Sequence, residues 1–194
     1  MKQSFVKGNK HLNLVSANFL DVQFFWGHKK LFFNKLSSTY FLGLRNNNLI
    51  FNTEYAKEFI KRMLLFCMES IFKNINILFI CHPYVKLILF FASRCLEYIS
   101  YNKWISGLLT NYTFRNSNIL ILTNMLKNPI ILKESFKVLL PIICFEDSDY
   151  SFNKSLYPIP MNDDSKESIS NFCLILTNNI IKFKLFRYCK NIFK

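Results

Sequence analysis

The chain has 194 residues, 51% of them hydrophobic and 17% aromatic, which is enough to bury a core and excludes a disordered tail. Its 25 Lys and Arg against 12 Asp and Glu give a formal charge of +13, a basic excess that points to nucleic acid or an anionic membrane as partner. Phe, Ile, Asn and Lys are heavily used while Gly and Pro number only 4 and 5, the slant of an A+T-rich coding sequence such as organelle genomes carry.

The length fits one domain over residues 1–194, with 1–20 as an N-terminal extension. Residues 1–19 show no clean apolar run before a small-residue cleavage site, so no secretory signal is expected there, nor a convincing arginine-rich transit peptide. WGHKK at 26–30 then sets Trp26 beside His28, Lys29 and Lys30, with Lys35 following, and RNNN at 45–48 sets Arg45 before Asn46. LIF at 49–51 reads as a short strand. Thr53 is placed to cap a helix from Glu54, in which Ala56, Phe59, Ile60, Met63, Leu64, Cys67 and Ile71 keep the 3–4 spacing of one apolar face.

INILFIC at 75–81 reads as a fully buried strand, and Pro83 suits the first turn of a helix reaching about Glu97. The surrounding stretch 75–93 is the most apolar in the chain, but His82, Pro83 and Lys86 break it. A membrane span needs about 20 largely apolar residues and a central lysine is costly there. Two separate elements are therefore expected, with an organelle-encoded membrane protein as the alternative. KWISGLLTN at 103–111 reads as a strand-to-helix corner with Trp104 turned inward, Leu108 or Leu109 anchoring it and Gly107 permitting a tight path. ILILT at 119–123 is another strand, Pro129 opens a helix through Val138, and PIICFE at 141–146 is one more strand. A loop through YPIP at 157–160 leads to a last helix, for which Asn162 or Asp163 can serve as cap, Asp163 and Asp164 suiting the positive end of its dipole. Strand–helix–strand repetition with all-apolar strands predicts an α/β fold, a parallel sheet flanked by helices on both faces in the flavodoxin-like or Rossmann-like manner.

Several chemistries are not announced. The six cysteines stand singly with no C-x-x-C spacing, so neither a metal nor a disulfide framework is expected. Gly8, Gly27, Gly43 and Gly107 lie too far apart for a dinucleotide or Walker loop, so no nucleotide cofactor is expected. Glu146, Asp147 and Asp149 follow a strand, where α/β enzymes often hold ligands, but they read first as a solvated loop. His28 and His82 lack a nearby nucleophile in any pattern that specifies catalysis, and no enzyme or small-molecule substrate is expected. What remains is cations interleaved with aromatics and amides: His28, Lys29, Lys30, Lys35, Arg45 and Asn46, then Lys103, Asn111 and Arg115 around Trp104. Such a mixture suits phosphate neutralisation with stacking on RNA, and equally suits core tryptophans beside solvated lysines.

In order along the chain, four segments resemble the small-subunit ribosomal protein S-two family of bacteria and organelles. WGHKK at 26–30 is similar to its F-G-H motif, and YFLGLRNNNLIF at 40–51 to its aromatic–Ile–Phe–Gly–x–Arg–Asn stretch. KWISGLLTNY at 103–112 is similar to R-W-x-G-G-x-L-T-N, and YPIPMNDD at 157–164 to Y-P-I-P-G-N-D-D. The chain departs from that pattern at Phe25, Lys103, Ser106 and Met161, which replace His, Arg, Gly and Gly. Little sequence separates Asn111 from ILILT, so the long helical hairpin of bacterial members is reduced or absent here, which resembles a mitochondrial member more than a plastid one. The resemblance implies a structural protein of the ribosomal small subunit. It implies contact with ribosomal RNA where head meets body and with neighbouring ribosomal proteins, on a mitochondrial ribosome and away from membranes.

Overall fold

The computed structural model describes residues 23–80, 84–100, 104–111, 117–124, 126–149 and 155–192. Two sheets organise them. The first is a small antiparallel sheet of β1 (Trp26–Lys29), β2 (Phe41–Arg45) and β3 (Asn48–Phe51), in the order β1–β3–β2. The second contains β4 (Asn76–Ile80), β5 (Tyr98–Ser100), β6 (Ser117–Leu122), β7 (Ile142–Glu146) and β8 (Tyr157–Pro160). All its pairings are parallel, in the order β5–β4–β6–β7–β8. Counted within that sheet the order is 2-1-3-4-5, the doubly wound arrangement the sequence predicts.

The alternation of the strands divides the core in two. Ile77 and Phe79 of β4, Ile119 and Ile121 of β6, and Ile143 and Phe145 of β7 face one side. There they meet the apolar stripes of α1 (Thr53–Phe72), α2 (Val85–Cys95) and α4 (Lys166–Ile192). Phe145 and Phe172 pack edge to face at 4.6 Å in this layer. Leu78, Ile80, Leu120, Leu122 and Cys144 face the other side, covered by Ile131 and Leu132 of α3 (Pro129–Val138) and by Leu109. Each such aliphatic side chain contributes about 1.5–3 kcal/mol on burial, so this two-sided core dominates stability.

Several local expectations change. Asn52, not Thr53, caps α1, its Oδ1 accepting the Glu54 N–H at 3.0 Å, and Thr53 is already helical. α2 ends at Cys95, where Leu96 takes a left-handed φ of 55°, two residues short of Glu97. YPIP is strand β8 and not loop; two prolines that cannot donate to a ladder are accommodated because β8 pairs only with β7, at the sheet edge. Asp163 does not cap α4. Asn162 Oδ1 accepts the N–H groups of Asp164 and Ser165, at 3.0 and 3.2 Å, in the turn before the helix, and Ser165 Oγ accepts the Ser168 N–H at 3.5 Å in its first turn. No helix follows KWISGLLTN among the described residues; 104–111 is a turn lying on the second core layer. The stretch 75–93 is divided into β4 and α2, and among the described residues no helix is long and apolar enough to cross a membrane. Cys81, His82 and Pro83 lie outside the described residues.

Candidate nucleic-acid interface

The small sheet is built around a tight hairpin. Arg45 pairs with Asn48, leaving Asn46 and Asn47 as a two-residue turn with φ of 51° and 63°. Both central positions of a type I′ turn need that left-handed backbone, which asparagine tolerates better than most residues. RNNN is thus first a turn, and it fixes where Arg45 stands. Lys29 also pairs with Asn48, and the Lys30 N–H donates to the Asn47 carbonyl at 3.0 Å. Lys29, Lys30, Arg45 and Asn46 therefore converge at one end of the sheet, all exposed, and Lys35 is exposed on the connection between β1 and β2. No acidic residue occurs between Asp21 and Glu54. The Arg45 guanidinium lies 5.9 Å from the centre of the Trp26 ring.

Beneath this sheet, at the C-terminal ends of β6, β7 and β8, lies a cluster of opposite character. Asp147 is 1% exposed and accepts the N–H of Ser148. Glu146, equally buried, accepts from the Ser155 hydroxyl. These two carboxylates are core groups and not the solvated loop the sequence predicts, because the chain leaves β7 under the small sheet. His28 bridges the two regions: Nδ1 stands 3.2 Å from Asp147 and Nε2 3.1 Å from Asp164, while its backbone N–H donates to Ser148 Oγ at 2.9 Å. Hydrogen bonding to Asp147, opposed by burial and aided by the charges of Asp147, Asp149 and Asp164, raises the imidazole to about 9, so it is cationic at neutral pH. Asp163, 5% exposed, accepts from Asn124 Nδ2. Burial first, then the charges of Asp147, Asp164 and Asp149, push its carboxyl up to about 8 against the pull of His28. Lys127 completes the network, 3.2 Å from Asp164. Among the described residues no group of three or more His, Cys, Asp or Glu side chains is arranged to hold a metal.

Gly27 belongs to the same junction. A Cβ there would come within 3.1–3.2 Å of the Ser148 and Asp147 side chains, so its missing side chain lets β1 approach β7. The Asn34 N–H to Ser148 carbonyl and Asn162 N–H to Phe24 carbonyl bonds, 3.0 and 2.9 Å, close the seam. Phe25 and Met161, two of the departures from the resembled pattern, are both buried in the first core layer beside it.

The 104–111 segment stands apart from the hairpin. Glu134 on α3, largely buried, accepts the N–H of Gly107 at 2.6 Å and of Leu109 at 3.2 Å. Gly107 has a φ of +95°, and Trp104 is part-buried against the second core layer, inward as expected. Asn111 is exposed and its N–H donates to the Gly107 carbonyl at 2.7 Å, so it closes this turn. Lys103 and Arg115 lie outside the described residues. The cations are visible in the sequence but the Asp147–His28–Asp164 bridge is not, since His28 lies more than a hundred residues from both partners; the one local signal is the acidic run after a strand.

The ribosomal protein S2 family model matches residues 19–118 and 114–182. The chain belongs to the ribosomal protein S2 family. That match comes in two segments that overlap at 114–118, around the start of β6. Among similar proteins is the small ribosomal subunit protein uS2 of Ehrlichia ruminantium, 24% identical over 81% of this chain and 72% of its own length. The corresponding protein of Orientia tsutsugamushi is 24% identical over 87% of this chain and 76% of its own. The small ribosomal subunit protein uS2m of Acanthamoeba castellanii is also 24% identical, over 87% of this chain and 58% of its own. The Ehrlichia alignment runs over 207 positions while covering only 81% of this chain, so the S2 relative carries segments that this chain lacks. The S2 family is one of structural proteins, in keeping with a C-terminal sheet edge filled by its own buried carboxylates.

Proposed function

We propose that this chain, acting as one unit over residues 1–194, is a structural constituent of the small subunit of a mitochondrial ribosome. In this reading it binds small-subunit ribosomal RNA where head meets body and abuts neighbouring ribosomal proteins. The observation that carries the RNA contact is the convergence of Lys29, Lys30 and Arg45 on one end of an acid-free sheet, with Lys35 nearby. These side chains neutralise phosphates, Asn46 offers an amide at the hairpin tip, and His28 acts from below by holding β1 in place. In the same reading Lys103, Asn111 and Arg115 also contact the RNA. A mitochondrial setting is supported by the likeness to the Acanthamoeba uS2m, by the A+T-driven composition and by the shortened β5–β6 connection.

The test is sedimentation of organelle lysates. The protein should travel with the small subunit at low salt and leave it at high salt, because phosphate contacts release counterions. Recovery in a ribosome-free membrane fraction that resists carbonate extraction would contradict the reading.

A further inference from the structure

We infer that the outer face of the small antiparallel sheet is a nucleobase platform: one unpaired base of the RNA stacks at Trp26 and Arg45 over Gly43, while Lys29 and Lys30 hold the adjoining phosphates. This rests on the RNA-binding reading above and adds what part of the RNA is recognised, and by which residues.

Residues paired across neighbouring strands share a face. Trp26 and Gly43 both pair with Ile50, and Lys29 and Arg45 both pair with Asn48. The face thus carries two rows, Trp26–Ile50–Gly43 and Lys29–Asn48–Arg45. They lie two residues apart on β3, or about 7 Å. The opposite face holds Leu49 and Phe51, both buried, so the Trp26 face is the outward one. Arg45 lies over the Trp26 ring, which orients a planar cation beside an aromatic surface. Asn48 is part-buried in the second row, with an amide able to read a base edge.

Gly43 is the residue the fold itself does not require. Its backbone is not left-handed, and a Cβ built there meets no heavy atom within 4 Å. Glycine is also a poor strand residue. Among the described residues nothing uses the missing side chain, whereas a base lying flat beside Trp26 would. The strip has no carboxylate of its own between Asp21 and Glu54 to repel a phosphate. A protein strand added to the β2 edge fits less well, because the pairing is irregular at Leu42 and the strand ends in Arg45, two features that blunt edges.

The test uses the full-length protein with a mixed-sequence single-stranded RNA and a blunt RNA duplex of the same length, titrated over a range of salt. Gly43→Val fills open space with a good strand residue and leaves the fold intact, yet it covers the platform. It should weaken single-strand binding roughly 5- to 150-fold, the span of one lost stacked base. Trp26→Leu should do the same and Trp26→Phe should retain most of the affinity. Neither Trp26→Leu nor Gly43→Val should change the salt slope, whereas Lys29→Gln with Lys30→Gln should lower it by about 1.4. Wild-type affinity in both Gly43→Val and Trp26→Leu, with the lysine effect intact, overturns the platform and leaves the RNA reading standing. Absence of salt-dependent RNA binding by the wild type defeats both. Loss of a neighbouring ribosomal protein from Gly43→Val particles with RNA affinity unchanged also overturns it, assigning the face to a protein.

Discussion

Adjacent residues at the end of β1 lie in opposite electrostatic settings. Around Lys29 and Lys30 the chain presents cations with no acid nearby in sequence; around His28 it meets Asp147 and Asp164, with Asp163 buried close by. In doubly wound α/β proteins the C-terminal edge of the sheet is where ligands usually sit. Here that edge holds the protein's own carboxylates, histidine and amides, and these fasten a second sheet on top. In the proposed reading the binding face lies on that second sheet. A fold known for small-molecule sites thereby becomes a stand for a basic surface.

The sharpest way to break this comparison is to remove the fastening. Asp147→Ala deletes a fully buried carboxylate and takes its hydrogen bonds from the part-exposed His28 cation and the Ser148 N–H, so a loss of about 3 kcal/mol is expected in chemical denaturation. An unchanged denaturation midpoint would mean that the cluster holds nothing. Next comes Glu134→Ala, which strips the acceptor from the Gly107 and Leu109 N–H groups and should cost about 2 kcal/mol while leaving the small sheet untouched.

How much of this was legible in the sequence depends on whether the determinant is local. Pro129 marked the start of α3 and the 3–4 spacing marked α1, because both are written within a few residues. The apolar runs gave β4, β6 and β7, and their repetition with helices gave the parallel sheet. β1, β2 and β5 are not announced by the sequence, since β1 and β5 lack an apolar run and Gly43 interrupts that of β2. The cap of α1 shifted by one residue because Asn52 and Thr53 are both good caps, and packing selects between them. The site divides likewise: the cations were visible, but their gathering depends on the cross-strand register of Lys29, Asn48 and Arg45. The burial of Asp147 and Asp163 could not be read from an acidic loop, since it is set by the sheet laid above it.

A pH titration offers a subtler break. His28 is raised from 6.5 to about 9, so its contribution is full below pH 6.5 and is lost as pH rises through about 9. Asp163 is raised from 3.8 to about 8, so its neutral form is favoured in the fold and the cost of ionising it grows from pH 3.8 and levels off above about 8. Both act in one direction. Stability followed by thermal melting should fall between pH 6.5 and 9, and His28→Gln should flatten that fall. The smallest expected effect is on stability in Lys29→Gln and Lys30→Gln, within about 0.5 kcal/mol of the wild type, because both side chains are exposed. Those variants separate binding from folding.

The most direct test of an RNA-binding outer sheet is ultraviolet cross-linking within purified small subunits, followed by mapping of the modified peptides. The account predicts RNA-linked residues within 26–48, at Trp26, Lys29, Lys30 or Arg45. Cross-links confined to α4 or to the carboxylate edge, with 26–48 unmodified, would contradict it.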